Sequence, residues 1–448
     1  MIRNDSRTVK KGDTFVCVPN PKEEEYIKDA LARGATTIIG QKHLSHLAPD
    51  FIVTDNPRLY LVQELAKARN YKQPEYCVAV TGTNGKTSVV TYLRQIWKHL
   101  GVKGASLGSL GLDWDFCHHA SREAGCGDPS WMATDPADLR HDDAFKLTTV
   151  DPIVFSQILE FLPADYFAFE ASSHGLDQHR TDTCKLAAVC FTNLTNEHLD
   201  YHKTMEEYFQ SKRRLFTELA GPETLKVIYK NCPYGRRLIN ENFPNTVTYG
   251  DEFPFPTDDL QIFGEAQLHN LTAAVLLSGF SLDRVKPILP LLTPPKGRMQ
   301  YVGSNKKGGK IFVDFAHTPN ALQNVLEMLR PITQGNLIVV FGCGGDRDKT
   351  KRPMMGKIAS DLADMVIITE DNPRFENPDL IRKDIMEGAS FAFEIHGREL
   401  AIAHAISIAR SNDVVVIAGR GDEKYQKIQG KEYELHDETV IKKMLAVE

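Results

Sequence analysis

The chain has 448 residues, 42% apolar and 25% charged, with both signs mixed and a formal net charge of −6. That supplies apolar mass for several cores and lacks the basic footprint of a general nucleic-acid binder. No run of about 18 apolar residues offers a membrane span, and Met1–Arg7 lacks the apolar core of a signal peptide. The eight cysteines are dispersed, and Cys77 and Cys190 lie in apolar, strand-like runs, which reads as buried thiols in a reducing, cytoplasmic setting.

Residues 1–73 predict a small α/β domain. Its strands are Thr14–Val18, Thr37–Ile39 and Phe51–Thr54, with helices over Glu25–Arg33 and Leu59–Arg69 and a linker at Lys72-Gln73-Pro74. A second domain, 74–296, opens on the apolar run Tyr76–Val80. Thr81-Gly82-Thr83-Asn84-Gly85-Lys86-Thr87-Ser88 follows, then helical spacing through Val89, Tyr92, Leu93, Ile96 and Leu100. Strand, glycine turn and Lys-Thr on a new helix is how a backbone cradles phosphate, with the lysine reaching the terminal phosphates and the hydroxyl available to Mg²⁺. The full phosphate-loop pattern wants a glycine where this chain has Val80, so it is met in its second half. Asp113–Phe145 is polar and aperiodic and reads as a long solvated loop; its Cys117-His118-His119 and Cys126 fit no paired metal-knuckle spacing. In the third domain, 297–448, Ile311–Phe315, Asn336–Gly342, Met365–Thr369 and Asp413–Gly419 predict a parallel sheet, with a helix over Leu322–Leu329.

Polar clusters follow the strands. Phe169 to Arg180 holds Glu170, Ser172, His174, Gln178 and Arg180, and Thr192 to His202 holds His198. A carboxylate at a strand end beside a phosphate loop suits Mg²⁺. On the helical stretch Met205–Leu219, Lys212, Arg213 and Arg214 read as a solvated basic face. Gly342–Lys349 is a charged glycine turn, and Asp371-Asn372-Pro373-Arg374 a turn that leaves a guanidinium and a carboxamide exposed, able to grip a carboxylate ligand.

Taken together, Thr81–Thr87, Glu170–Leu176, Thr192–His202, Gly297–Met299, Val313–Asn320, Gly344–Pro353 and Asp371–Arg374 resemble the muramyl ligases, ATP-dependent amide-forming enzymes of peptidoglycan synthesis. The resemblance implies an α/β fold of three domains: a small N-terminal α/β domain binding the UDP substrate, a central P-loop-type parallel-sheet ATPase domain, and a C-terminal Rossmann-like α/β domain. It implies ATP and Mg²⁺ as cofactors, UDP-muramyl dipeptide and meso-diaminopimelate as substrates, and an acyl-phosphate intermediate. A cytoplasmic monomer is expected, with no nucleic acid and no membrane insertion. Gly82, Thr83, Asn84, Gly85, Lys86, Thr87 and Ser88 would hold phosphates, with Thr87 and Glu170 on Mg²⁺ and His198 on a second. Lys212 matches a lysine that the family carbamylates, turning a cation into a metal-holding anion. Ser6 matches a uridine-site position, and Thr148, Thr149, Ser172, Gln178 and Arg180 match positions touching the muramyl dipeptide. Asn270, Arg298, Asp314 and His317 match the nucleotide's surroundings. Arg347, Asp371, Asn372, Pro373, Arg374, Gly419 and Glu423 match the pocket for the incoming amino acid, and the Asp-Asn-Pro-Arg form resembles the diaminopimelate version.

The departures cluster at substrate ends. The strand usually preceding Asp5-Ser6-Arg7 is expected to be missing, Pro19–Glu24 replaces a glycine-containing stretch, Phe375 follows Arg374 where a small hydroxyl residue is usual, and Asp422 stands where a histidine is common. They keep two other readings open: a paralogue joining a different amine and carboxylate, and a non-catalytic nucleotide-binding scaffold.

Overall fold

The computed structural model describes residues 1–114, 147–257 and 259–447. Two compact units are present, Met1–Asp258 with His269–Leu292, and Asp259–Leu268 with Thr293–Glu448.

The first unit holds two sheets. Four parallel strands, β1 (Ile2–Arg3), β2 (Thr14–Val16), β3 (Thr37–Gly40) and β4 (Phe51–Val53), lie in chain order. The strand expected to be missing before Asp5-Ser6-Arg7 is therefore present, cut to the two residues β1 needs to pair with Thr14 and Phe15. The larger sheet comprises β5 (Tyr76–Thr81), β6 (Gly104–Gly108), β7 (Gly111–Trp114), β8 (Tyr166–Glu170), β9 (Ala188–Phe191), β10 (Leu225–Tyr229) and β11 (Thr246–Tyr249), in the order 11-10-9-5-8-6-7. Every pairing is parallel except β6 with β7. Strand β7 corrects the reading of a loop from Asp113: a tight turn after Gly108 returns the chain against β6, a local hairpin that polarity hid. The cysteine–histidine cluster of that loop lies outside the described residues.

Near-continuous apolar runs make these strands two-sided core elements, as a covered parallel sheet requires. Phe167, Phe169, Val189 and Phe191 are fully buried against Phe155 and Ile158 of the Pro152–Phe161 helix, whose entry is capped by Asp151 through the Ile153 amide. Because β5 is central, with β8 on one side and β9 on the other, its carboxyl end opens at the point where strand order reverses.

The second unit holds β12 (Gln300–Ser304), β13 (Lys310–Asp314), β14 (Leu337–Phe341), β15 (Met365–Ile368), β16 (Phe393–Glu394) and β17 (Val414–Ala418), ordered 12-13-17-14-15-16 with only β12 antiparallel. A hairpin of β18 (Tyr425–Ile428) and β19 (Lys431–Glu434) follows. The expected alternation of strands and helices is what the chain forms in both units.

Candidate active site

The phosphate loop runs from the end of β5 to the helix Lys86–His99. Gly82 and Gly85 carry it at φ +147° and +89°. A Cβ on Gly82 would stand 1.9 Å from the Thr192 hydroxyl, and one on Gly85 2.3 Å from Asn270 Oδ1. Bare backbone is therefore obligatory at both points, and the loop offers an anion its amides and a helix N-terminus. The end of β9 braces it: Asn84 N–H donates to Asn193 Oδ1 (2.9 Å), and Asn84 O accepts from Thr192 Oγ1 (2.6 Å) and Asn193 Nδ2 (3.2 Å). Thr87 and Ser88 are buried in the helix's first turn.

Two lysines converge on this loop. Lys86 Nζ donates to the carbonyls of Gly82 (2.8 Å) and Thr83 (2.7 Å), and Lys212 Nζ donates to the same Gly82 carbonyl at 2.9 Å. Lys212 is 1% exposed. Burial, reinforced by the charge of Lys86, pushes its pKa well below the ordinary lysine value. The solvated basic face is thus corrected for the Met205–Arg214 helix: Lys212 faces inward with Tyr208 and Phe209, Arg213 clasps Glu241 bidentately, and Arg214 pairs with Asp182. Tyr208 ties the parts together, its hydroxyl 3.1 Å from Thr83 Oγ1 and its ring 4.7 Å beneath Lys212 Nζ.

Glu170 closes β8 and is buried beside Gly108, where any side chain would strike its carboxylate. Its oxygens accept from Ser109 N–H (2.8 Å) and Ser109 Oγ (3.3 Å), and Ser109 Oγ lies 3.3 Å from Thr148 Oγ1. Thr149 Oγ1 donates to the Glu170 carbonyl and accepts from Ser172 N–H, and Arg180 bridges the Thr149 carbonyl to Gln178 Oε1. Gln178 in turn reaches Tyr201, whose hydroxyl donates to Asp177. His198 sits in left-handed backbone at φ +57°, its ring edge-on to His174 at 5.0 Å and to Tyr208 at 5.9 Å. The first unit thus gathers the predicted phosphate, metal and muramyl-side residues around one set of strand ends.

Ser6 lies apart from them, buried in the turn Ser6–Thr8 with its hydroxyl on Asp29. Contacts between that small sheet's domain and the larger one include Asn4 Nδ2 donating to Asp151, Asn56, cap of the Pro57–Ala68 helix, meeting His179 Nε2 at 3.1 Å, and Arg69 Nη2 donating to the Thr183 carbonyl at 2.9 Å. His179 Nδ1 lies 2.6 Å from Asp182, which Arg214 also grips. Burial pushes the Asp182 carboxyl up, but hydrogen bonds from His179 and Arg214 outweigh it and hold the group below its usual range. This stabilisation is present above the unfolded-state pKa and is lost as pH falls through the folded one. Asp182→Asn should lose about 2 kcal/mol of stability, because His179 and Arg214 lose the buried carboxylate they share and Arg214 keeps only the exposed Glu218 carboxylate among the described residues; urea unfolding at neutral pH measures it, and an unchanged midpoint refutes it.

In the second unit, Asp314 closes β13 and accepts from the Met299 and Ala316 amides, at 2.7 and 2.8 Å. Arg298 stacks on Phe315 at 4.5 Å, and His317, exposed, turns Nδ1 to the Phe315 carbonyl. The residues expected on the acceptor side form a separate group. Asp371 is buried, with Oδ2 packed where a Cβ on Gly419 would fall and no hydrogen-bond partner among the described residues. Asn372, expected to be exposed, is 3% exposed: Nδ2 donates to Glu423 Oε2 (2.7 Å) and Oδ1 accepts from Lys427 N–H (2.9 Å). Burial pushes the Glu423 carboxyl up. Arg374, at φ +51°, is half-buried and sends Nη1 to the Gly345 carbonyl at 2.8 Å, following Pro373, whose carbonyl lies against Gly345. Arg347 stands exposed on the neighbouring glycine turn.

Sequence reading missed Ser109 and Tyr208, and within the Thr192–His202 cluster it gave a role to His198 and none to Asn193 or His202. Ser109 directly follows β6, the strand beyond β8, and Asn193 comes two residues after β9, the neighbour of β5, so the strand-end rule could have found them. Tyr208 carried no local signal.

A glycine loop at a strand switch point, with a buried carboxylate beside it and two lysines on one carbonyl, defines a nucleotide-dependent phosphoryl-transfer enzyme. Residues 80–269 match the Mur ligase middle domain, and residues 297–421 the Mur ligase glutamate ligase domain. The UDP-N-acetylmuramoyl-L-alanyl-D-glutamate–2,6-diaminopimelate ligase of Agrobacterium fabrum is 37% identical over 481 residues, covering 99% of this chain and 93% of that protein. A solved structure of a ligase of that name superposes with a TM-score of 0.65 at 28% identity, covering 100% of this chain and 94% of the other. The MurF ligase from Thermotoga maritima in complex with ADP gives 0.57 at 16% identity over 99% and 96%, a likeness of fold. The chain belongs to the Mur ligase family, ATP-dependent amide ligases.

Proposed function

We propose that this protein joins meso-2,6-diaminopimelate to the D-glutamate of UDP-N-acetylmuramoyl-L-alanyl-D-glutamate, converting ATP to ADP and phosphate. The observation that carries the reading is the near full-length likeness to ligases of that name, in a chain whose phosphate loop keeps both lysines. The substrates are small molecules, and the enzyme works as a cytoplasmic monomer in three domains, 1–73, 74–296 and 297–448. Among the described residues no helix is long and apolar enough to cross a membrane, and six cysteines are buried free thiols.

The loop amides of Gly82–Ser88 and Lys86 hold the phosphates. An oxygen of the D-glutamate carboxylate attacks the terminal phosphorus, ADP leaves, and the amine of the acceptor then attacks the acyl carbon, losing a proton and expelling phosphate. Lys86 follows the charge that builds on the transferring group. Thr148, Thr149, Ser172, Gln178 and Arg180 orient the muramyl side, Ser6 belongs to uridine recognition, and Asn270, Arg298, Asp314 and His317 to the nucleotide. Arg347, Asp371, Asn372, Pro373, Arg374, Gly419 and Glu423 receive the amino acid.

Residue chemistry fits Mg²⁺. The Glu170 carboxylate accepts from Ser109 alone among the described residues, leaving lone pairs free, and Thr87 adds a hydroxyl, both hard oxygen donors. Thr87 and Glu170 would hold one ion and His198 a second, with a carbamylated Lys212 helping to hold metal; when bound, such ions offset negative charge on the phosphoryl oxygens. Lys212 suits carbamylation, since burial favours its neutral, nucleophilic amine over the ammonium. Its nitrogen bonds the carbon of CO₂, releases a proton and ends as an anion.

Purified protein with ATP, Mg²⁺, UDP-muramyl dipeptide and a panel of amino acids should release phosphate only with diaminopimelate. Release with another acceptor alone, or none at all, overturns the reading. Arg374→Ala should raise the KM for diaminopimelate at least about tenfold and leave that for ATP unchanged, since a lost guanidinium–carboxylate pair is worth well over 1.4 kcal/mol. Equal changes in both would remove the acceptor assignment.

A further inference from the structure

We propose that His202 is a positioning residue of the phosphoryl-transfer site, locking the segment that carries Glu170 to the helix that carries Lys212. The inference rests on the roles given above to those two residues.

His202 ends the short helix Leu199–His202 and is 4% exposed. Its Nε2 lies 2.9 Å from Ser173 Oγ, and its Nδ1 3.4 Å from Ser211 Oγ. Ser173 begins the helix Ser173–Asp177, three residues beyond Glu170; Ser211 directly precedes Lys212. Hydrogen-bond directions assign the ring's tautomer. Ser211 Oγ donates to the Glu207 carbonyl at 3.1 Å, so it must accept from His202 Nδ1–H. Nε2 is then the acceptor, and Ser173 the donor to it. One unidirectional chain therefore runs from Ser173 through the imidazole and Ser211 into the helix backbone. Such chains strengthen each bond and fail as a unit when a member is removed.

Packing makes the same connection. The imidazole stacks on Tyr208 with centroids 5.1 Å apart and planes at 27°, and it meets His174 at 5.4 Å. Tyr208 is the side chain that hydrogen-bonds Thr83 of the phosphate loop and underlies the Lys212 amine. One ring thus sets the height of Tyr208 and the axial register of the Met205–Arg214 helix, on which the placing of Lys212 over the Gly82 carbonyl depends. Phosphoryl transfer is sensitive to such placement, where an error of 1 Å can cost about 10²-fold.

The test uses the full-length enzyme with His202→Leu, which removes both hydrogen bonds, and His202→Gln, whose amide can reach the Ser173 partner. His202→Leu should lower kcat about 10²-fold while the KM for ATP stays within about threefold. His202→Gln should recover at least a tenth of the wild-type rate. In [¹³C]bicarbonate, the Lys212 carbamate resonance should weaken in the Leu variant and return in the Gln variant. Wild-type kcat and carbamate signal in His202→Leu overturn the proposal. So does a fall of kcat, affinity and melting temperature together without recovery in His202→Gln, which marks a merely structural histidine. If the unmodified enzyme releases phosphate with no acceptor, the proposed reaction fails, and the carbamate signal then decides the case of His202 by itself.

Discussion

Lys212→Met should reduce kcat about 10³-fold and leave the melting temperature unchanged or higher. The side chain is wholly inside, shares the Gly82 carbonyl with Lys86, and has no carboxylate in salt-bridge range among the described residues. As a bare cation it would be costly there, and methionine fills similar volume without desolvating an amine. Stability therefore gives no reason for a lysine at this point. The rate does, because removing one preorganised electrostatic group from a transfer site costs about 10²–10³-fold, and the proposed carbamate would serve the metal as well. Lys212→Arg keeps a positive charge yet cannot add CO₂, so it should fail like methionine. Acetate or formate added to the methionine variant should restore part of the rate by supplying the missing anion. A methionine variant with near wild-type turnover would sink the role given to Lys212.

Gly82→Ala should abolish measurable ATP binding and lower stability by about 1–3 kcal/mol, the usual cost of forcing atoms into a packed site. The new methyl would fall 1.9 Å from the Thr192 hydroxyl and 3.1 Å from both the Asn193 amide and carbonyl, and φ +147° is itself unfavourable for alanine. Relief requires moving Thr192 and Asn193, the residues that brace Asn84. Nucleotide titration by calorimetry and thermal melting check both parts. A variant that binds ATP normally would show that the loop does not need bare backbone here.

The phosphate loop was legible because its requirements are local: a buried strand, two glycines and Lys-Thr on the next helix, all within a dozen residues. The alternation of strand and helix was legible for the same reason. Lys212 read wrongly from its neighbours, since Lys212, Arg213 and Arg214 look alike in a row. The helical spacing of Tyr208, Lys212, Leu215 and Phe216 puts the lysine on the buried face, and Arg213 and Arg214 point elsewhere. Strands β1 and β7 escaped because one is two residues long and the other depends on a hairpin partner more than on its own pattern. Asn372 was misjudged because what covers it comes from far along the chain.

At the proposed acceptor pocket, that cover bears on any change of the amino acid accepted. Gln426 Nε2 donates to the Asp371 carbonyl, Lys427 N–H to Asn372 Oδ1, and Asn372 Nδ2 to Glu423, across 51 to 55 residues of sequence. Arg374 closes the clasp, giving its N–H to the Lys427 carbonyl and taking the Gln429 N–H on its own. If these residues form the proposed acceptor pocket, acceptor choice is inherited as a pair of segments, the Asp371–Arg374 turn and the stretch from Glu423 through β18. A transplant of the turn alone into another ligase would arrive with its amide and carbonyls facing strangers; moved together, the two segments carry their own scaffold with them.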